Sequence, residues 1–157
     1  MSFERRLRDL GIKLPAAPEP PGNYVATYVH GEVAETAGHL PFANGGIAIR
    51  GRLGADIDVS AGAAAARVAT LNALASLRAA VGSLDRVRRV VRLRGYVSST
   101  PDFADHHLVT NGASDLILSV FGDEAGGHVR SSVGITSLPF HAPVEIELGL
   151  LLDAEGG

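Results

Sequence analysis

Residues 128 to 147 read HVRSSVGITSLPFHAPVEIE, two strand-like runs joined by a Pro-punctuated connection. The first run carries Arg130; the second carries Glu145 and Glu147, each flanked by apolar residues. A guanidinium offers two parallel N–H donors in a planar fork, the shape a carboxylate accepts. Arg130 and Glu145 could therefore belong to a binding site for a small charged molecule. They could equally pair with each other as a cross-strand ion pair. Alternation puts Arg130, Ser132, Gly134 and Thr136 on one face of the first run and Val129, Ser131, Val133 and Ile135 on the other. In the second run Val144, Ile146 and Leu148 oppose Glu145, Glu147 and Gly149. If both apolar faces lie under helices, Arg130 and Glu145 emerge together on the far side. Their small neighbours leave space there that a salt bridge does not need. Glu147 is expected to be structural.

The elements that must position these groups can be read along the chain. Ser2 caps a short helix with a Phe3, Leu7, Leu10 stripe, stopped by Gly11. KLPAAPEPPG is a Pro-rich connector that cannot be regular helix. Residues 1–21 are thus read as an arm leading into one domain over 22–157. NYVATYVHG and VAETAGHLP read as strands around a turn at Gly31-Glu32. Asn44-Gly45-Gly46 marks another turn before IAIRGRL, so the opening third looks like an antiparallel meander. SAGAAAARVATLNALASLRAAVG is an Ala-rich helix, small-sided enough to lie close on a sheet, ending on Gly82. Ser83 caps one further turn, LDRV. RRVVRLRGYVSS is a strand in which Val91, Leu93 and Tyr96 oppose Arg92 and Arg94. Thr100-Pro101-Asp102 starts a second helix that runs to Gly122, weakened by Gly112. Strands, helix, strand, helix, two strands describe an α+β fold: a mainly antiparallel sheet with two helices on one face.

Composition narrows the function classes. The 157 residues, 46% hydrophobic and 20% charged, make one globular domain. A formal net charge of −3 offers no electrostatic footprint for nucleic acid. RRVVRLR is read as the charged face of an edge strand, not an RNA contact. The absence of cysteine removes disulfides, thiolate nucleophiles and zinc–cysteine sites. The N-terminus is charged rather than an apolar signal core, and no run is long enough to span a membrane, so a cytoplasmic protein is expected. No phosphate loop, His-Glu-x-x-His, Gly-x-Ser-x-Gly or strand-linked Gly-x-Gly-x-x-Gly is present. His106 and His107 are adjacent on a helix and point about 100° apart. His30, His39, His128 and His141 lack ligand-like spacing, so no metal is expected.

HVRSSVGITSLPFHAPVEIEL resembles the C-terminal signature of the Rid family, also called the YjgF or L-PSP endoribonuclease family. That pattern is a small residue, Arg, an apolar strand, Leu-Pro, then a closing Val/Ile-Glu-Ile-Glu. GNYVATYVHGEVAETAGHLP resembles the family's N-terminal segment, and GADIDVSAGAAAARVATLNALASLRAAVGSLDRVRRVVRLRGYVSSTPDF its central helix and strand. VTNGASDLILSVFGDEAGGHVRSSVG is similar to a longer subgroup. The resemblance covers nearly everything from Gly22 to Leu152. It implies a chorismate-mutase-like fold assembled as a homotrimer, with sites in clefts between subunits and the N-terminal arm wrapped on the trimer.

The same resemblance implies a chemistry. Family members hydrolyse enamines and imines such as 2-aminoacrylate and 2-iminopropionate to a 2-keto acid and ammonia. By that likeness Arg130 binds the substrate carboxylate, Glu145 activates water and shuttles protons, and Tyr24 is the pocket tyrosine. Gly38, His39 and Ser132 line the substrate, with Asn111, or else His107, as the helix residue. No cofactor is required, because the imine carbon is already electrophilic. The chain departs from the pattern at Ala37, where the family has Ser, and at His39, where it has Gln. These departures bear on substrate range and leave an alternative, a non-catalytic trimer that binds a small carboxylate metabolite. The older family labels, translation inhibitor and endoribonuclease, find no support in charge or stacking residues.

Overall fold

Asp58 opens the longest helix by accepting a hydrogen bond from Ala61 N at 2.8 Å. The computed structural model, which describes residues 2–154, runs this helix over Val59–Val81 and ends it on Gly82 at φ 84°. In chain order the elements are α1 (Phe3–Asp9), β1 (Thr27–His30), β2 (Val33–Thr36), β3 (Phe42–Ala43), β4 (Gly46–Ile47), α2 (Val59–Val81), β5 (Val87–Ser98), α3 (His106–Gly126), β6 (Val129–Ile135) and β7 (Val144–Leu152). The main sheet has the order β1-β2-β7-β5-β6. Its pairings are antiparallel except β5 with β6, which are parallel because α3 carries the chain back across the sheet. Helices α2 and α3 cover one face, as the α+β pattern requires. β3 and β4 form a separate small ribbon, so the opening third is a hairpin plus a ribbon and not a continuous meander.

One core holds the layers together. Ala65, Ala66, Ala69 and Ala73 of α2 are fully buried among Leu93, Val97, Ile146, Leu148 and Leu150 of the sheet. Each buried Leu or Ile contributes about 1.5–3 kcal/mol by leaving water. The helices also meet at close range. A Cβ on Gly112 would overlap the backbone carbonyl of Ala63, so Gly112 is the contact point of the α2–α3 crossing. The expected weakening of the helix at Gly112 is therefore the condition for packing it.

Helix α1 joins the same core. Ser2 caps it, Phe3 and Leu7 are buried, and the Phe3 ring meets Phe121 edge-on with centroids 4.8 Å apart. Arg6 Nε donates to the Ser119 carbonyl at 2.6 Å. Leu10 is 47% exposed, contrary to the stripe; Leu14, beyond the Gly11 stop, takes the buried place instead.

Three further expectations are corrected. Val91 does not share the inner face with Leu93, because the β5–β7 register shifts between Val90 and Arg92. The bulge leaves Val91 exposed and turns Val90 inward. Tyr96 lies on the Arg92 and Arg94 side. Nor is β5 an edge strand: it sits between β7 and β6. Helix α3 begins at His106, not after Thr100: only a single turn forms there, from Phe103 N–H to the Thr100 carbonyl at 3.2 Å, and the helical bonds start at the Asp105 carbonyl. Gly122, at φ 74° and ψ 176°, breaks the helix where the sequence stops it, and a further turn follows to Gly126.

Gly112→Ala is expected to lower stability by about 1–3 kcal/mol, the usual cost of overpacking. Chemical denaturation against the unsubstituted chain measures it, and an unchanged midpoint would contradict the crossing.

Candidate functional site

Loop residues between β2 and β3 are tied down by α2. Asn72 Nδ2 donates to the carbonyls of Leu40 (2.9 Å) and Phe42 (3.0 Å). Ser76, one turn on, donates to His39 Nε2 at 2.8 Å, while His39 Nδ1–H donates to the Ala37 carbonyl at 2.8 Å. Burial lowers the His39 pKa, which keeps the ring neutral and fits that arrangement. The β2–β7 ladder pauses at Thr36, whose Oγ1 accepts from Leu148 N, and resumes at His39, bonded both ways to Ile146. Inside this pause lies Gly38, directly over Glu145. A Cβ there would overlap the Glu145 carboxylate, so only glycine lets the chain cross.

Glu145 opens into a pocket of about 90 Å³ lined by Tyr24, Ala37, Gly38, Phe42 and Phe140, with the Pro18–Pro21 stretch of the arm along its rim. Phe140 and His141 both have positive φ, 59° and 58°. A non-glycine residue in that region is uncommon and costs energy. The strained pair sets Phe140, still half exposed, edge-on to Phe42 at 5.4 Å. Burial, and then the charge of Glu147, push the Glu145 pKa up. Glu147 itself is engaged by Tyr96 Oη at 3.3 Å and Arg94 Nη1 at 3.5 Å, the structural place expected of it.

Arg130 occupies a second, polar cluster. Its Nη1 donates to Asn111 Oδ1 at 2.8 Å and Ser114 Oγ at 3.0 Å, and its Nη2 to the His107 carbonyl at 3.2 Å. Of the two helix candidates, Asn111 reaches Arg130 with its side chain and His107 only with its backbone. Ser132 Oγ is hydrogen-bonded to the His106 carbonyl at 2.8 Å and to Thr110 Oγ1. Gly95, beneath Thr110, leaves room for this hydroxyl layer.

The two clusters lie on opposite faces of the sheet, which corrects the expectation of a shared far side. Leu93, Gly95 and Val97 of β5 are buried under the helices, and they stand opposite Arg130, Ser132 and Gly134 in the parallel ladder. Arg130 therefore faces α3. Across β7, Tyr96 stands opposite Glu145 and Arg94 opposite Glu147, on the uncovered side. The apolar side of β6 turns outward, leaving Val129 55% and Val133 46% exposed. The assumption that failed was that every helix-covered face is apolar: α3 presents His106, Thr110, Asn111 and Ser114 to β6. Within one chain Arg130 and Glu145 cannot pair, and among the described residues no carboxylate forms an ion pair with Arg130.

Tyr24, Gly38 and Glu145 are thus brought together, and so, separately, are Arg130, Asn111 and Ser132. His39 shapes the first group through its backbone, its ring being turned to Ser76. Sequence reasoning missed Phe42, Phe140 and the prolines as pocket walls. The anchors Asn72 and Ser76 had a legible signal, two polar residues four apart in an Ala-rich buried helix.

Because its pKa is raised, folded Glu145 holds its proton to higher pH than the unfolded chain does. The folded state then binds more protons just above the ordinary carboxylate value, and stability falls as pH rises through that window. Glu145→Gln is expected to melt higher than the unsubstituted protein at neutral pH, with the gain shrinking as pH drops to the ordinary carboxylate range. Melting curves across pH test this, and a pH-independent difference would contradict it.

Comparison with known proteins bears on both clusters. Residues 4–148 match the family described as "YjgF/chorismate_mutase-like, putative endoribonuclease". Protein TCP17 of Trypanosoma cruzi is 49% identical over 141 residues, 90% of this chain and 88% of that protein. The crystal structure of Atu1372 from Agrobacterium tumefaciens, of unknown function, is 43% identical with TM-score 0.87, covering 98% of this chain and 94% of that one. An endoribonuclease-named structure from Shewanella oneidensis is 37% identical with TM-score 0.92, covering 97% and 100%. Matched across both the Glu145 and the Arg130 strands, the chain belongs to the YjgF/chorismate mutase-like family.

Proposed function

We propose that the protein is a hydrolytic deaminase of small enamine or imine acids, acting as a homotrimer whose site joins the Glu145 pocket of one subunit to the Arg130 cluster of its neighbour. The observation that carries this reading is the state of Arg130. Its guanidinium is held by neutral acceptors only, with Nε–H and one Nη2–H left over among the described residues. That is a cation prepared for a carboxylate that the described residues do not supply. The exposed apolar side of β6 and the helix-free face of the sheet, with Tyr28 and Val33 also exposed, favour a neighbouring subunit covering them. A protein of the same fold, E. coli TdcF, 21% identical with TM-score 0.61, has been solved with bound serine, an acid of the same small size.

In this reading Arg130 binds the substrate carboxylate and sets the imine carbon over Glu145. Ionised Glu145 takes a proton from water as the water oxygen bonds to the carbon of the protonated imine, and the electron pair of the C=N bond moves to the nitrogen, leaving a neutral amine. The proton passes from Glu145 to that nitrogen, the C–N bond breaks to release ammonia, and Glu145 takes the hydroxyl proton as the ketone closes and passes it to the departing ammonia. The products are a 2-keto acid and ammonia. A carboxylate whose pKa is raised suits both halves of this cycle. Tyr24 and the Phe42–Phe140 wall close the apolar side.

Keto-acid release from imines generated by an amino-acid oxidase tests the activity. Arg130→Ala and Glu145→Gln are each expected to lose about 10²-fold or more. Mixed trimers refolded from both variants are expected to regain activity, because some sites then receive an intact half from each subunit. Silence of every mixture would sink the shared site. Pyruvate binding at Arg130 with no turnover would favour the non-catalytic binder that Ala37 and His39 leave open.

A further inference from the structure

Ser114, 9% exposed, stands behind Arg130 on α3. Its Oγ lies 3.0 Å from Arg130 Nη1 and 3.0 Å from His128 Nε2. His128 Nδ1 lies 2.7 Å from the Gly126 carbonyl. A carbonyl can only accept, so Nδ1 carries a proton, and in that tautomer Nε2 is an acceptor. The single hydrogen of Ser114 then goes to His128. Its oxygen is left to meet Arg130 with lone pairs alone. Every bond in the series runs one way, from Arg130 through Ser114 and His128 to the Gly126 carbonyl. His128 lies in the turn joining α3 to β6, two residues before Arg130, so the series also ties the arginine's own strand to its helix.

We propose that Ser114 and His128 are positioning residues for Arg130. Ser114, with its proton committed to His128, fixes the guanidinium so that Nε–H and the remaining Nη2–H stay free as a fork for a carboxylate. This rests on the reading of Arg130 as the carboxylate-binding group.

The assembled full-length protein is titrated with pyruvate by calorimetry, beside Ser114→Ala, Ser114→Thr, His128→Leu, His128→Gln and Arg130→Ala. Ser114→Ala and His128→Leu are expected to weaken pyruvate about tenfold or more, the scale of a lost hydrogen bond to a charged group. Ser114→Thr keeps the hydroxyl and His128→Gln returns an acceptor, and both are expected to recover most of the affinity. In the ligand-free protein, NMR is expected to show the Nδ1–H tautomer of His128 and a loss of order at Arg130 Nε–H in Ser114→Ala and His128→Leu. If Arg130→Ala alone abolishes binding while Ser114→Ala and His128→Leu bind normally, the positioning role is overturned and the carboxylate reading survives. If Arg130→Ala binds pyruvate like the unsubstituted protein, both are overturned. An Nε2–H tautomer, an unchanged Arg130 signal, or a lowered melting temperature with unaltered affinity each overturns the positioning role by itself.

Discussion

The parallel pairing of β6 on β5, with Leu93 opposite Arg130, sets the chemistry of both sides of the sheet. Leu93 is fully buried beneath the helices, so its cross-strand neighbour must point the same way. A one-residue slip would send Arg130 outward and bring Val129 and Val133 under α3. The observed phase does the opposite. It places a guanidinium against a helix and two valines in the open. Helix α3 accommodates the guanidinium because the side it turns to β6 carries an amide, hydroxyls and a backbone carbonyl that accepts a further bond. Each Arg130 bond there goes to a neutral oxygen, so the arginine is oriented without being neutralised.

On the other face, the geometry depends on a crossing too tight for any side chain but hydrogen. Gly38 passes over Glu145, and the loop holding Gly38 is fastened to α2 through Asn72 and Ser76. Glu145 is thereby enclosed enough to resist ionisation, yet it still opens into a pocket. The strained Phe140 backbone fits the same pattern, a local cost accepted where a wall is needed. The two halves are complementary: one holds a guanidinium with unused donors and no acid beside it among the described residues, the other an acid that holds its proton to higher pH than usual. That division agrees with a site completed between subunits better than with a cross-strand ion pair inside one chain.

Much of the fold was legible. Gly82 and the alanine run mark α2, and the turn at Asn44-Gly45 is where composition puts it. What alternation could not show was the bulge at Val91, because an extra residue in a strand leaves no trace in side-chain chemistry until its partner strand is known. The start of α3 was obscured for a related reason. Thr100 has the right residue type for a cap, but the chain makes only a single turn there, while Thr100 N–H bonds to the carbonyl of Leu53, far away in sequence, and the helix starts from Asp105. Within the candidate site, Arg130 and Glu145 could be picked out by type and spacing, and Gly38 and Tyr24 by resemblance to the family. Phe42, Phe140 and the arm prolines could not, since nothing in their local pattern separates a pocket wall from an ordinary loop.

The sequence by itself determined which groups carry charge, where the chain turns, and that strands and helices alternate as an α+β domain. Residue type, helical period and backbone preference are local properties, and they survive without a partner. Tertiary structure alone decided which face each charge occupies. That depends on cross-strand register and on the polarity of the particular helix side packed above, and neither is a property of the strand itself. Arg130 and Glu145 are the plainest case. Both stand out in the sequence, their alternation points to one side, and the β5–β6 ladder puts them on two.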